Sequence, residues 1–255
     1  MRSRPLLIGT LFVACAGLLP AQTNETNVTF RAVCFRHCGG LTSLHFRAQG
    51  SDGMKELALW TAEFTRPERM KIADGKAVFY VPDTTPNAKE PFKPLASVAV
   101  PDSPRLLFLF LPAAAPAADN PAPANPNANP YEIRVMAADD RSYPLGQTRV
   151  LNLAPTPMRI QLGEHEKIVP PTKGDILPKP TRLNRYDQFN VIIDFQRGEE
   201  WMRVSNTRWK SSDRKRDLVI AFFDPATKRP MANLFEDVPA TVDPNAVPTN
   251  PAPTP

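Results

Sequence analysis

Between Pro104 and Pro112 the chain runs Arg-Leu-Leu-Phe-Leu-Phe-Leu, with no polar position after the arginine. A run this short, closed by proline on both sides, cannot hold a stable helix, so it predicts a β-strand over residues 105–111 buried on both faces. Residues 131–137 alternate instead, with Tyr131, Ile133 and Val135 on one face and Glu132 and Arg134 on the other. That period of two predicts the second arm of a hairpin with residues 105–111. The proline-, alanine- and asparagine-rich residues 112–130 between them cannot bury enough apolar surface to offset their ordering entropy, and read as a disordered hairpin tip rather than a domain boundary.

The same reading extends along the chain. Residues 149–153 and 158–162 form two strands joined by Ala-Pro-Thr-Pro, and Phe189, Val191, Ile193 and Phe195 alternate with Asn190, Ile192 and Asp194. Residues 201–204 make a short strand, and residues 218–223, apolar on both faces, predict a central strand that closes the body. Residues 163–188 are polar and broken by Pro170, Pro171, Pro178 and Pro180, and read as a connection. Toward the amino end, strands are expected over residues 27–35, 41–46, 55–60, 70–72, 77–81 and 96–100. Leu57, Trp60 and Phe64 have helical spacing, but strand is preferred there. The expected architecture is all-β, an antiparallel β-sandwich in one continuous unit over residues 23–238, followed by a proline-rich unstructured tail, residues 239–255. Membrane-length barrel strands of about 9–11 residues do not fit these short, proline-broken segments.

Composition supports this picture. Thirty prolines against eleven glycines disfavour a helical fold. Residues 1–22 read as a secretory signal, with Arg2 and Arg4 ahead of an apolar run. Removing that leader lowers the formal net charge from +5 to +3 (5 − 2), too small a surplus to imply nucleic acid. Cys15 loosely matches a lipoprotein box, but Phe12 suits its first position poorly, so a lipid anchor is the lesser alternative. No later segment is apolar and long enough to cross a membrane as a helix. The protein is expected in the periplasm or at the cell surface.

The succession Arg-Leu-Leu-Phe-Leu-Phe-Leu (105–111), Tyr-Glu-Ile-Arg-Val (131–135) and Leu-Gly-Gln-Thr-Arg-Val-Leu-Asn-Leu-Ala-Pro-Thr-Pro-Met-Arg-Ile-Gln-Leu (145–162) resembles exported proteins of the Verrucomicrobia and related bacteria. The resemblance implies an all-β exported protein, and it carries no activity, substrate or catalytic residue.

Candidate chemistry is sparse. Cys34 and Cys38 are the cysteines left after leader removal, and an oxidising compartment favours a disulfide if the chain curls at residues 35–37. Unpaired thiols are the alternative. Cys34, His37, Cys38 and His45 would together suit zinc or copper, though their spacing follows no zinc-ribbon pattern. There is no nucleophile elbow, no His-Glu-x-x-His and no phosphate-cradling loop, so no catalytic residue and no cofactor is assigned. His165 reads as an exposed turn histidine, and Asp139-Asp140 and Glu199-Glu200 as solvated loop charges. The basic residues Arg208, Lys210, Arg214, Lys215 and Arg216 read as a charged turn. On an unbroken strand Trp201, Arg203 and Trp209 share one face, the tryptophans about 26 Å apart, and can serve as a ligand platform or as core. The function expected is a non-enzymatic structural or protein-interaction module of the cell envelope, partnered by an envelope protein or polysaccharide and not by nucleic acid. The alternatives are a glycan-binding β-sandwich using Trp201 and Trp209, and then a Cys/His metal-binding protein.

Overall fold

The computed structural model describes residues 25–50, 53–113, 129–224 and 227–239. The expected leader with Cys15, residues 114–128 of the expected hairpin tip and residues 240–255 of the expected tail lie outside them. The described residues contain no helix. Their strands in chain order are β1 (Glu25–Cys34), β2 (Ser43–Arg47), β3 (Met54–Ala58), β4 (Glu68–Ala73), β5 (Lys76–Pro82), β6 (Phe92–Ala99), β7 (Arg105–Pro112) and β8 (Tyr131–Ala137), then β9 (Thr148–Asn152), β10 (Met158–Leu162), β11 (His165–Val169), β12 (Gly174–Leu177), β13 (Gln188–Arg197), β14 (Glu200–Lys210), β15 (Arg216–Phe223) and β16 (Pro230–Asp237).

The first eight strands form one sheet in the order β3-β2-β5-β4-β1-β7-β8, with β6 paired to β5. The hairpin of β7 and β8 is present, Leu106 opposite Ala137 and Pro112 opposite Tyr131. Phe79 of β5 lies 5.2 Å from Phe108 of β7, ring centre to ring centre, although β4 and β1 separate their strands in the sheet. The sheet therefore curls on itself. It encloses a core of Phe30, Phe46, Phe79, Phe108 and Phe110 with Leu44, Met70, Ile72 and Leu106. The rings meet edge to face, which sets the positive rim of one against the negative face of the next.

The remaining strands make a sandwich of two four-stranded sheets, β12-β9-β15-β16 and β11-β10-β13-β14. Val150, Met158, Ile160, Leu162, Val191, Phe195 and Val219 fill the space between them. A third apolar layer joins the two halves. Val33, Leu107, Leu109 and Leu111, on the outer face of the curled sheet, pack against Leu151, Leu218, Ile220 and Phe235.

This layer explains the two continuous apolar runs. In β7, Leu106, Phe108 and Phe110 enter the first core while Leu107, Leu109 and Leu111 enter the joining layer. In β15, Val219 and Ala221 face the sandwich core while Leu218 and Ile220 face the joining layer. Both strands have a parallel neighbour, β1 beside β7 and β9 beside β15, as suits strands covered on both faces. The sheets are otherwise antiparallel, as expected.

Three strands fall where none was expected. β11 and β12 occupy the polar connection, and β16 follows β15 as its hairpin partner. β12 depends on Gly174, where a Cβ would come within 2.8 Å of the Val150 carbonyl oxygen.

Candidate functional site

The corner after β1 holds the cysteines. Cys34 ends its strand opposite Phe110 and donates its amide to the Trp60 carbonyl, while Cys38 opens a tight turn bridged to Leu41 across Gly39 and Gly40. The two are free thiols, which corrects the expected disulfide. Both aim at one acceptor, the Arg36 carbonyl oxygen, at 3.0 Å from Cys34 Sγ and 3.7 Å from Cys38 Sγ. Tyr131 Oη ties this corner to β8, accepting from the Cys38 amide at 2.9 Å and donating to the Leu41 carbonyl at 2.8 Å. Burial pushes the Cys34 thiol up to about 11 and the Tyr131 phenol up to about 12, so neither is a ready nucleophile.

Cys34, His37, Cys38 and His45 do not converge. Cys34 shares the first core with Leu44 and Phe46, and His45, between those two on β2, points to the other side of the sheet against Phe92. His37 Nε2 is taken up by the Leu59 carbonyl at 2.7 Å. Among the described residues, no group of three or more His, Cys, Asp or Glu side chains can hold a metal ion.

The charges read as solvated loops are in part structural. Asp139 accepts from Ser103 Oγ at 2.6 Å and from the amides of Arg141 and Ser142, and these bonds, Ser103 first, hold its carboxyl well below the usual range. Arg216 is buried, donating to the Ala138 carbonyl and, at 2.6 Å, to Asp140. Its guanidinium and that of Arg149 both lie over the Tyr143 ring. Nearby, Arg31 of β1 pairs with the buried Asp237 of β16, tying the curled sheet to the sandwich. His165 opens β11, its Nε2 3.5 Å from a Glu164 carboxylate whose other bonds hold Thr181 and Arg182. Hydrogen bonds from Thr181 keep that carboxyl down at about 2.

The tryptophans divide. Along β13 and β14 the register runs Phe189 opposite Trp209 and Ile193 opposite Ser205, then slips so that Asp194 faces Arg203, leaving Val204 as an extra residue. One extra residue reverses which face the side chains take. Trp209 is turned inward against Phe189 and the sandwich core, while Trp201 and Arg203 are turned outward beside Asp194. The expected shared face is corrected by this bulge.

Two features of the sandwich remain open. At one side β11 and β12 lie together, but at the other β14 and β16 are edge strands held apart. Between them lies a cleft of about 660 Å³ lined by Val204, Ser205, Thr207 and Trp209 from β14 and by Met231, Ala232 and Leu234 from β16. The second is the outward face of β10, β13 and β14, where Asp194 sits under Arg159 and Arg203. Sequence pattern marked Trp201, Arg203 and Trp209, but β16 and the cleft it completes were not legible. No family model matches this chain, and no curated protein matches it significantly.

Proposed function

We propose that the protein is an exported, non-enzymatic interaction module whose β14 edge receives an extended segment of another envelope protein. The observation that carries this reading is the open side of the sandwich, where, among the described residues, β14 has β13 on one edge and no strand on the other. An edge strand presents unpaired amides and carbonyls, and a strand added there gains main-chain hydrogen bonds while alternate side chains enter a cleft. The bulge at Val204 limits the regular template to residues 205–210. Ser205, Thr207 and Trp209 line the cleft, and Asn206, Arg208 and Lys210 take the opposite face.

The fitting partner is therefore an extended segment that alternates apolar with acidic residues. Opposite charges directly across two strands add about 0.2–1 kcal/mol per pair, and like charges cost a similar amount. A second copy of β14 would bring Arg203, Arg208 and Lys210 against the same cations, so self-pairing is the less favoured use of the edge.

Short synthetic peptides that alternate apolar and acidic residues provide the test, against peptides of the same composition with the residues segregated into blocks. The alternating peptide should bind and slow hydrogen exchange of the amides at residues 205–210, with no protection of the curled sheet. Equal binding of both peptides, or binding that leaves the β14 amides unchanged, would sink the reading.

A further inference from the structure

The outward face of the sheet β11-β10-β13-β14 carries a second constellation, separate from the cleft. Asp194 lies on this face, yet its side chain is only 2 % exposed. Its Oδ2 accepts from Arg159 Nη2 at 2.6 Å and Nε at 3.1 Å, and its Oδ1 accepts from Arg203 Nε at 3.1 Å. Burial pulls the carboxyl upward, but the two arginines outweigh it and hold the group ionised, below its ordinary value. One carboxylate thus fixes two guanidiniums and neutralises one of them. The Arg203 side chain remains 52 % exposed, with its terminal nitrogens turned to no protein acceptor among the described residues.

The surroundings are equally specific in chemistry. The Arg159 guanidinium lies 4.8 Å from the centre of the Trp201 indole, a cation–π contact that holds the ring at the edge of the pair. Gln196, opposite Trp201, and Asn206, opposite Ile192, share this face and offer amide donors and acceptors. Further along β14, Arg208 and Lys210 add positive charge on the same side.

From this arrangement we infer a binding site for an acidic polysaccharide, a chain built from uronic acid units. The exposed guanidinium of Arg203 would take a sugar carboxylate in a two-pronged, charge-assisted contact. The amides of Gln196 and Asn206 suit hydroxyl groups, which both give and accept hydrogen bonds. Trp201 offers an indole rim and part of a face to sugar C–H groups, whose positive hydrogens meet the negative π-cloud. The open sheet face lets a long chain pass without end recognition. This inference does not rest on the strand-addition reading, since it needs the outward side chains around Asp194 and not the free main-chain edge of β14, although Arg208 and Lys210 serve in both.

Affinity electrophoresis of the full chain through polygalacturonate tests it. Retardation is expected, and it should fall steeply as salt rises, because the contacts are exposed and screened. Arg203→Gln should weaken binding roughly tenfold, the size of one charge-assisted hydrogen bond, and lower the melting temperature only modestly, because Arg159 still holds Asp194. Trp201→Ala should weaken it as well, and Lys55→Gln, on the distant β3, should not. No retardation of the parent would overturn the assignment. So would equal retardation by carboxyl-reduced polymer, an Arg203→Gln protein that binds like the parent, or tighter binding to single-stranded DNA than to polygalacturonate.

Discussion

In the curled sheet, β5 faces β7 across a core of interlocked phenylalanines, with Phe108 touching both Phe30 and Phe79. In the sandwich, β11 and β12 lie together at one side while β14 and β16 stand apart at the other, with Trp209 at the margin of the gap. Both regions are built from short strands that bury one apolar face, so strand content does not separate them. Closure does. A sheet that bends back on itself covers its own apolar face, whereas two flat sheets stay open wherever their edge strands do not meet. Candidate binding surfaces accordingly gather in the second region, and the first contributes scaffold.

The sharpest way to break this contrast is to remove an aromatic from the closed core. Phe108→Ala should cost about 3–5 kcal/mol, since the ring is fully buried and the surrounding rings cannot collapse into the space. Chemical denaturation measures it, and a loss below about 1 kcal/mol would mean that the curled sheet is not closed as described.

A smaller effect separates the two tryptophans. Trp209→Ala, on the inward side, should cost about 2 kcal/mol, because it removes a half-buried indole from contact with Phe189. Trp201→Ala, outward and held by Arg159, should cost less than about 1 kcal/mol. The same melting experiment on both variants checks the bulge. Equal losses would indicate an unbroken strand with both rings on one face.

The smallest effect is in pH dependence, where two buried aspartates have opposite signs. Asp194 is held below its ordinary value, so its contribution is present above the unfolded carboxylate pKa and is lost as pH falls through its folded one. Asp237 is pushed up by burial despite Arg31 and Arg216, so its native form keeps a proton longer than the unfolded chain does. Its contribution is present below the unfolded pKa and lost as pH rises through the folded one. Asp194→Asn should therefore flatten the fall in stability below about pH 4, and Asp237→Asn should flatten the decline above it. Denaturant midpoints across the acid range read both slopes, and a matching sign for the two variants would contradict the assigned environments.

What could be read from the chain followed the strength of the local pattern. The run at residues 105–111 and the alternation at residues 131–137 specified β7, β8 and their pairing, because one face or both had to be covered. β11 and β12 were not legible, since they are short, polar strands at sheet edges, formed by backbone pairing rather than burial. β16 was hidden for a different reason: Leu234 enters the sandwich core while its neighbour Phe235 enters the joining layer, which blurs its period. Arg216 looked like part of a solvated basic turn, and nothing local announces that the Ala138 carbonyl and Asp140 will meet it in the interior.

By itself the sequence determined an all-β body, because short apolar runs cut by proline leave the backbone no other regular way to satisfy its hydrogen bonds. It also determined which strands must be covered on both sides. The tertiary structure decided what covers them, bringing Leu107 and Leu109 of one half against Leu218 and Ile220 of the other. It likewise decided the fate of the candidate site. A single extra residue at Val204 sent Trp209 inward and left Trp201 and Arg203 outside. A bulge is a property of two strands paired together, and neither strand carries it alone.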